Sequence, residues 1–335
     1  MRTAVATTGK SGWRAAGLLA LLLCACGTAE SPSPPARLQF GMDLWAGYFP
    51  AAIADHQGLM AAEGVALDIT VARDTRSLIA RFAAGDYDII GVSLGDALTL
   101  THARPDVIVL VVTNESAGGD QVLRGPNAPP LGARPAKPVR VGTAMAGFGE
   151  LFLQTWMAAE NLEPAQVLWS NVDASDVPKA LIEGRIDYGH TWEPYASDAV
   201  AAGATRVFSS AETPGLILDV LLTTRERVEQ EPEAFRAFLR AWFAADQQWR
   251  NDPDAGSAAA AARLGLAPTQ VSLDGIRRFA LQDNQRVMAG GADAPLASLL
   301  RRYADFFVER GSLSTPPDPA AMFDPTLLPD ATPPP

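Results

Sequence analysis

The sequence predicts an α/β protein of two lobes, each a mostly parallel sheet flanked by helices, with loops at matching strand ends facing across a cleft. One repeated pattern and one alternation predict it. Residues 181–195, LIEGRIDYGHTWEPY, read in succession as a helix end, a glycine turn at Gly184, a short buried strand and a loop carrying Trp192, Glu193, Pro194 and Tyr195. A glycine just past a helix takes the left-handed conformation that lets the chain turn. Residues 78–97, LIARFAAGDYDIIGVSLGDA, repeat that order roughly a hundred positions earlier, with Asp88 standing where Asp187 stands in the later copy. Around both copies strands alternate with helices, which implies parallel sheets with right-handed crossovers.

Taken in order, residues 1–25 read as a secretory signal. Arg2, Lys10 and Arg14 precede the apolar run Ala15–Leu23, which is too short to span a bilayer. Leu23 and Ala25 ahead of Cys26 resemble a lipobox and predict lipidation at Cys26; a plain cleaved signal is the alternative. Residues 26–37, with Pro32, Pro34 and Pro35, form an extended tether. The first lobe, 38–120, begins with a strand at Leu38–Phe40, a loop bearing Trp45 and Tyr48, and a helix from Pro50 to Gly58. Strands at Val65–Val71 and Tyr87–Val92 enclose a helix at Thr75–Ala84, and a helix follows near Asp96–Thr101. Val107–Val112 is an unbroken β-branched and aliphatic run, the mark of a central strand. The first crossing is expected after it, between Thr113–Asp120 and the proline- and glycine-rich loop 125–138.

The second lobe, 121–215, repeats the plan: strands at Val139–Gly142, Val167–Val172 and Asp187–Thr191, helices at Gly149–Glu160, Asp176–Glu183 and Tyr195–Ala202, and a strand at Arg206–Phe208. Leu216–Thr223 is the apolar return strand that opens the segment 216–314, which completes the first lobe with helices. Phe235, Phe238, Leu239, Trp242 and Phe243 recur at helical spacing as core, and further helices are expected near Thr269–Asp283 and Ala294–Arg310. Residues 315–335 are a proline-rich tail expected to lie loosely on the surface.

Charge and cysteine usage narrow the function. The formal charge is −11, and loss of residues 1–25 removes three positive charges and no negative ones, giving −14. Nucleic acid as a partner is excluded by that balance, since it wants a basic face. Both cysteines, Cys24 and Cys26, sit at the signal boundary, so the mature fold has no disulfide or thiolate site.

No G-x-S-x-G, H-E-x-x-H or Walker loop occurs in the chain. His190 is the histidine nearest an interesting loop, and as a strand residue it is read as a packed or hydrogen-bonded neighbour rather than a base. Ala146-Gly147-Phe148-Gly149 opens a helix, where backbone N–H groups can approach a small polar or anionic group. Ser93-Leu-Gly95-Asp96 and Ser116–Asp120 offer similar loops at strand ends, where open α/β sheets bind ligands. Trp45, Tyr48 and Trp192 supply faces for a flat or cationic ligand, or else pack as a lid. Asp120 and Glu193 add acceptors. Asp88 and Asp187, matched in position, are read as structural, bonding backbone at the turn.

The motifs W-x-G-Y-x-P at 45–50, A-x-x-x-G-L at 54–59, A-A-G-D-Y-D at 83–88, N-E-S-A-G-G-D at 114–120, E-G-R-I-D at 183–187, T-W-E-P at 191–194 and I-L-D-V-L-L at 217–222, in that order, resemble the nitrate/sulfonate/taurine and thiamine-pyrimidine-precursor group of periplasmic solute-binding proteins. The resemblance covers roughly residues 38–310. It implies a type II periplasmic binding fold with two crossing strands as hinge, closure on a small molecule, and delivery to an ABC permease and ATPase. The implied site is Trp45, Tyr48, Ser93, Ser116, Gly119, Asp120, Gly147, Phe148, Trp192 and Glu193, without cofactor or metal. A monomer is expected, periplasmic and lipid-anchored to the membrane.

The ligand is left open among a sulfonate, an oxyanion, an amine and a pyrimidine-like molecule. The absence of a basic clamp favours the latter two, because Arg73 and Arg76 sit beside a helix start and face solvent. One branch of the wider superfamily makes a thiamine precursor with iron and a cysteine cluster, which this chain lacks. An exported enzyme or a ligand-sensing receptor subunit on the same fold are the competing readings.

Overall fold

The structure is a computed structural model that describes residues 34–131, 137–145 and 147–330. The expected signal, the lipidation site at Cys26 and most of the tether lie outside the described residues, as do the last five residues of the tail.

The first sheet starts with β1 (Ala36–Met42), two residues ahead of the expected Leu38 because Ala36 and Arg37 pair with Val65 and Ala66. Helices α1 (Pro50–His56) and α2 (Leu59–Ala62), β2 (Val65–Val71), α3 (Thr75–Ala83), β3 (Ile89–Ser93), α4 (Leu94–Leu100) and β4 (Val107–Ser116) follow. The chain then enters a second sheet through β5 (Asp120–Arg124), β6 (Val139–Thr143), α5 (Phe148–Ala159), β7 (Val167–Asn171), α6 (Val177–Ile182), β8 (Tyr188–Trp192), α7 (Tyr195–Ala201) and β9 (Thr205–Ser209). It returns to the first sheet in β10 (Leu218–Thr224), and continues through α8 (Arg225–Gln230), α9 (Pro232–Asn251), α10 (Pro253–Leu264), β11 (Ile276–Arg278), α11 (Leu281–Val287) and α12 (Pro295–Glu309).

Strand order is β11-β4-β10-β3-β1-β2 in the six-stranded sheet and β7-β6-β8-β5-β9 in the five-stranded one. In each, two neighbours run parallel to the founding strand, β1 or β6, and the strand that comes from or goes to the other sheet, β10 or β5, is inserted antiparallel. The halves therefore share one plan.

Asp88 and Asp187 show what the repeated motif does. The Asp88 carboxylate accepts from the backbone N–H of Gln39 on β1 at 2.8 Å, and the Asp187 carboxylate accepts from that of Arg140 on β6, also at 2.8 Å. Each aspartate N–H donates back to the carbonyl of the same residue. Each carboxylate also meets an arginine, Arg227 for Asp88 and Arg140 for Asp187. Both aspartates are structural, and the backbone they hold belongs to the neighbouring strand rather than to the turn.

Three expectations are corrected. Asp120–Arg124, expected to pass from lobe boundary into loop, is a full strand paired on both sides, with β8 and β9. The segment 269–283, expected as one helix, contains β11, which pairs antiparallel with Asn114–Ser116 at the open edge of β4. Gly275 leads into it with φ +73°, and its carbonyl accepts from the N–H groups of Ala117 and Gly119. The edge of β4 at Asn114–Ser116 offers hydrogen bonds that outweigh local helical preference. The tail is not loose over 315–330: Met322, Phe323 and Leu327 are buried, and Phe323 bridges to Val109. Prolines there open two short 3-10 turns, Pro319–Met322 and Pro325–Leu327, and apolar side chains still dock.

The aromatic stripe of α9 is core, with Phe235, Phe238, Leu239, Trp242 and Phe243 all buried. Among the described residues no helix is long and apolar enough to cross a membrane.

Candidate functional site

The loops that follow β1, β3, β6 and β8 all leave the carboxyl ends of parallel strands, and they meet between the sheets. Asp43, Trp45 and Tyr48 after β1, Val92, Ser93 and Asp96 at β3 and α4, Thr75 of α3 and Asp219 of β10 come from the first lobe. Asp120 of β5, Phe148 at the start of α5 and Trp192 at the end of β8 come from the second. Together they line a narrow pocket with about 20 Å³ of space open to water-sized molecules.

A chain of buried hydrogen bonds sets the two aromatic groups of the first lobe. Trp45 Nε1 donates to Asn114 Oδ1 at 3.2 Å, Asn114 Nδ2 donates to Asp219 Oδ2 at 2.8 Å, and the Tyr48 hydroxyl donates to Asp219 Oδ1 at 2.9 Å. Rings held at their polar tips by buried hydrogen bonds present a fixed surface. Gly119 belongs to this packing: a Cβ there would stand 2.5 Å from the Trp45 ring.

In the second lobe Phe148 and Trp192 lie tilted with centroids 5.9 Å apart, and His190 meets Phe148 edge-on at 5.3 Å. His190 is buried behind these rings, with Nε2 2.8 Å from Asp120 Oδ1 and Nδ1 3.3 Å from Thr143 Oγ1. That is the packed, hydrogen-bonded role its place in a strand implies.

Asp96 joins the lobes. Its carboxylate accepts from Ser93 Oγ at 2.8 Å within the first lobe, and the backbone N–H of Phe148, at the first turn of α5 in the second, also stabilises its ionised form. Gly147, the residue before α5, has no side chain to cap the helix, and a Cβ there would come 2.6 Å from Asp96 Oδ1. Two further ties span the lobes: Arg310 pairs with Glu150, and Arg76 stands 3.7 Å from Asp173.

Burial, more than mutual charge, raises three carboxyl groups of the pocket, Asp43, Asp96 and Asp219. Burial pushes Asp43 up to about 7, helped by the Asp96 and Asp120 charges and opposed by the Trp45 N–H. Burial raises Asp96 to about 6 against its Ser93 and Phe148 hydrogen bonds. Asp219 stands well above the usual carboxylate range, chiefly through burial and then through the Asp120 charge.

Of the residues expected at the site, the structure brings Trp45, Tyr48, Ser93, Asp120, Phe148 and Trp192 into the pocket lining. Gly119 and Gly147 stand immediately behind it. Ser116 lies instead in the crossing, where its Oγ is 2.8 Å from Ser210 Oγ of the return segment and accepts from the Asp120 N–H. Glu193 is outside the pocket, accepting from Gln121 Nε2 at 3.0 Å and the Ser197 N–H at 3.1 Å. Arg73 is exposed, and Arg76 is mostly so apart from its contact with Asp173. Sequence reading missed Asp43, Asp96 and Asp219 as acidic lining. For Asp219 a signal existed, a lone acid inside the apolar run I-L-D-V-L-L, since burying a charge is costly without a purpose.

Two sheets with inserted crossing strands and a cleft at the strand ends define the two-lobed periplasmic binding-protein fold. The NMT1-like family model matches residues 31–265, and the chain belongs to that family. No curated protein matches it in sequence. Among solved structures it is similar to the ligand-binding component of an ABC-type import system from Staphylococcus aureus with zinc bound, at 12% identity and a TM-score of 0.73, over 89% of this chain and 99% of that one. The periplasmic aliphatic sulphonate binding protein SsuA from Escherichia coli matches at 16% identity and a TM-score of 0.66, over 86% and 97%. The periplasmic nitrate-binding protein NrtA from Synechocystis matches at 17% identity and 0.65, over 88% and 87%. Among the described residues of this chain no group of three or more His, Cys, Asp or Glu side chains could hold a metal ion.

Proposed function

We propose that the chain is the solute-binding component of an ABC importer, working in the periplasm or cell envelope and tied to the membrane through lipid on Cys26. It captures one small molecule between its lobes and delivers it to a permease and ATPase. The observation that carries this reading is the pocket itself, lined from both lobes, so that a molecule bound to one lobe completes its contacts only when the other closes on it. The periplasmic binding proteins of like fold support the same reading.

Ligand binding to the folded state alone raises the melting temperature by mass action. Purified monomer screened against amines, pyrimidines, sulfonates and oxyanions is expected to melt higher with one of them and to consume none. Turnover of a panel member would favour an enzyme on this fold, with His190 then the first residue to replace. Retention of binding without uptake by a strain carrying the importer would favour a sensor. For the anchor, the mature protein is expected to begin at Cys26 with a lipid mass that a Cys26→Ser variant lacks.

A further inference from the structure

Four carboxylates meet in the cleft. Asp43, Asp96, Asp120 and Asp219 line the pocket, and among the described residues no lysine or arginine does. The Asp43 carboxylate accepts from the Trp45 N–H at Oδ1 and from its own backbone N–H, and Asp120 Oδ1 contacts His190 Nε2.

A separate observation points to a bound molecule. Trp192 is 9% exposed and lines the pocket, yet its indole N–H reaches no acceptor among the described residues. An acceptor on a solute would satisfy it. The start of α5, the kind of place where proteins receive an anion, is already faced by Asp96. A sulfonate or nitrate would have to displace that carboxylate and sit among three more.

We infer that the pocket takes a small organic cation, its positively charged nitrogen held by the Asp43 and Asp120 carboxylates and ringed by Trp45, Tyr48, Phe148 and Trp192, on a molecule that also offers Trp192 an oxygen or nitrogen acceptor. This rests on the solute-binding reading above. A cation over aromatic faces is attracted by the ring quadrupoles, most strongly where water is excluded. It also relieves the mutual repulsion of the carboxylates and offsets the burial that raises Asp43 and Asp96.

The mature chain is titrated at pH 8 with choline, which has a fixed positive charge and a hydroxyl, with benzylamine, and with methanesulfonate and nitrate, using calorimetry and tryptophan fluorescence. At least one of the two cations is expected to bind, and neither anion. Asp43→Asn should weaken cation binding about tenfold to a hundredfold, the loss of one charge-assisted contact. Trp192→Phe should weaken it several-fold with an unchanged circular dichroism spectrum. Binding of an anion and of neither cation overturns the cation assignment and leaves the solute-binding reading standing. Cation binding untouched by both substitutions places the cation elsewhere and overturns the site. If all four probes fail, the molecule released on denaturing freshly purified protein decides: a positive charge supports the inference, a neutral or negative one overturns it, and no released molecule removes both readings.

Discussion

The Tyr48 hydroxyl donates to Asp219 Oδ1 at 2.9 Å, joining a loop near the start of the first lobe to the strand by which the chain returns to it. Asn114 completes the arrangement from β4. Tyr48→Phe removes one of two donors from a buried carboxyl group, and an orphaned buried acceptor costs about 1–3 kcal/mol. Urea denaturation should show a loss of that size with an unchanged slope. A loss under about 0.5 kcal/mol, within the range of ordinary surface substitutions, would mean that the bond contributes little.

Ligand-free protein should become more stable as pH falls from 8 to 5. Asp43 at about 7 and Asp96 at about 6 lie above the unfolded carboxylate value near ~4, so the folded chain binds protons in this window that the unfolded chain does not. Stability then rises as pH falls. Asp120 faces both groups and His190 faces Asp96. The depressed carboxylates Asp74, Asp106 and Asp187 withdraw their support only below that ordinary value. A gain of a few degrees in Tm is expected, smaller in Asp43→Asn, and a steady fall from pH 8 to 5 would contradict it.

The two interlobe ion pairs should differ in weight. Glu150 is 5% exposed in its pair with Arg310, whereas Arg76 is 65% exposed in its pair with Asp173. Arg310→Ala should cost about 1–3 kcal/mol and increase the radius of gyration in small-angle scattering, while Arg76→Ala should stay within about 0.5 kcal/mol. Equal effects would show that burial does not set the difference.

The docked tail gives a fourth expectation. Truncation after residue 314 removes Met322, Phe323 and Leu327 from the core, and three buried apolar side chains are worth about 3 kcal/mol or more even after allowing for a compact unfolded state. A lower Tm is expected, and an unchanged one would show that the tail adds nothing.

By itself the sequence determined the layered α/β plan, the duplication and the repeated aspartate turn. Each of these is written in local periodicity: Gly85 and Gly184 stop helices, and Asp88 and Asp187 stand three positions later because the strand they brace always follows. Val107–Val112 needed no partner to read as a central strand. The site was half legible. Trp45, Tyr48, Phe148 and Trp192 stand at strand ends, where side chains leave the sheet and can be recognised as available.

Only the tertiary structure decided what they meet. Asp43, Asp96, Asp120 and Asp219 are scattered over 177 residues, and their shared pocket depends on how the two crossings fold one lobe onto the other. Glu193 stands next to Trp192 in sequence yet outside the pocket, because the strand ends there and the chain turns the carboxylate toward Gln121 and Ser197. The same reason explains β11 and the tail. Ile276–Arg278 becomes a strand, and Phe323 a core residue, because β4 leaves an edge and an apolar seat that no local pattern reveals: hydrogen bonding and burial at long range outweigh local preference.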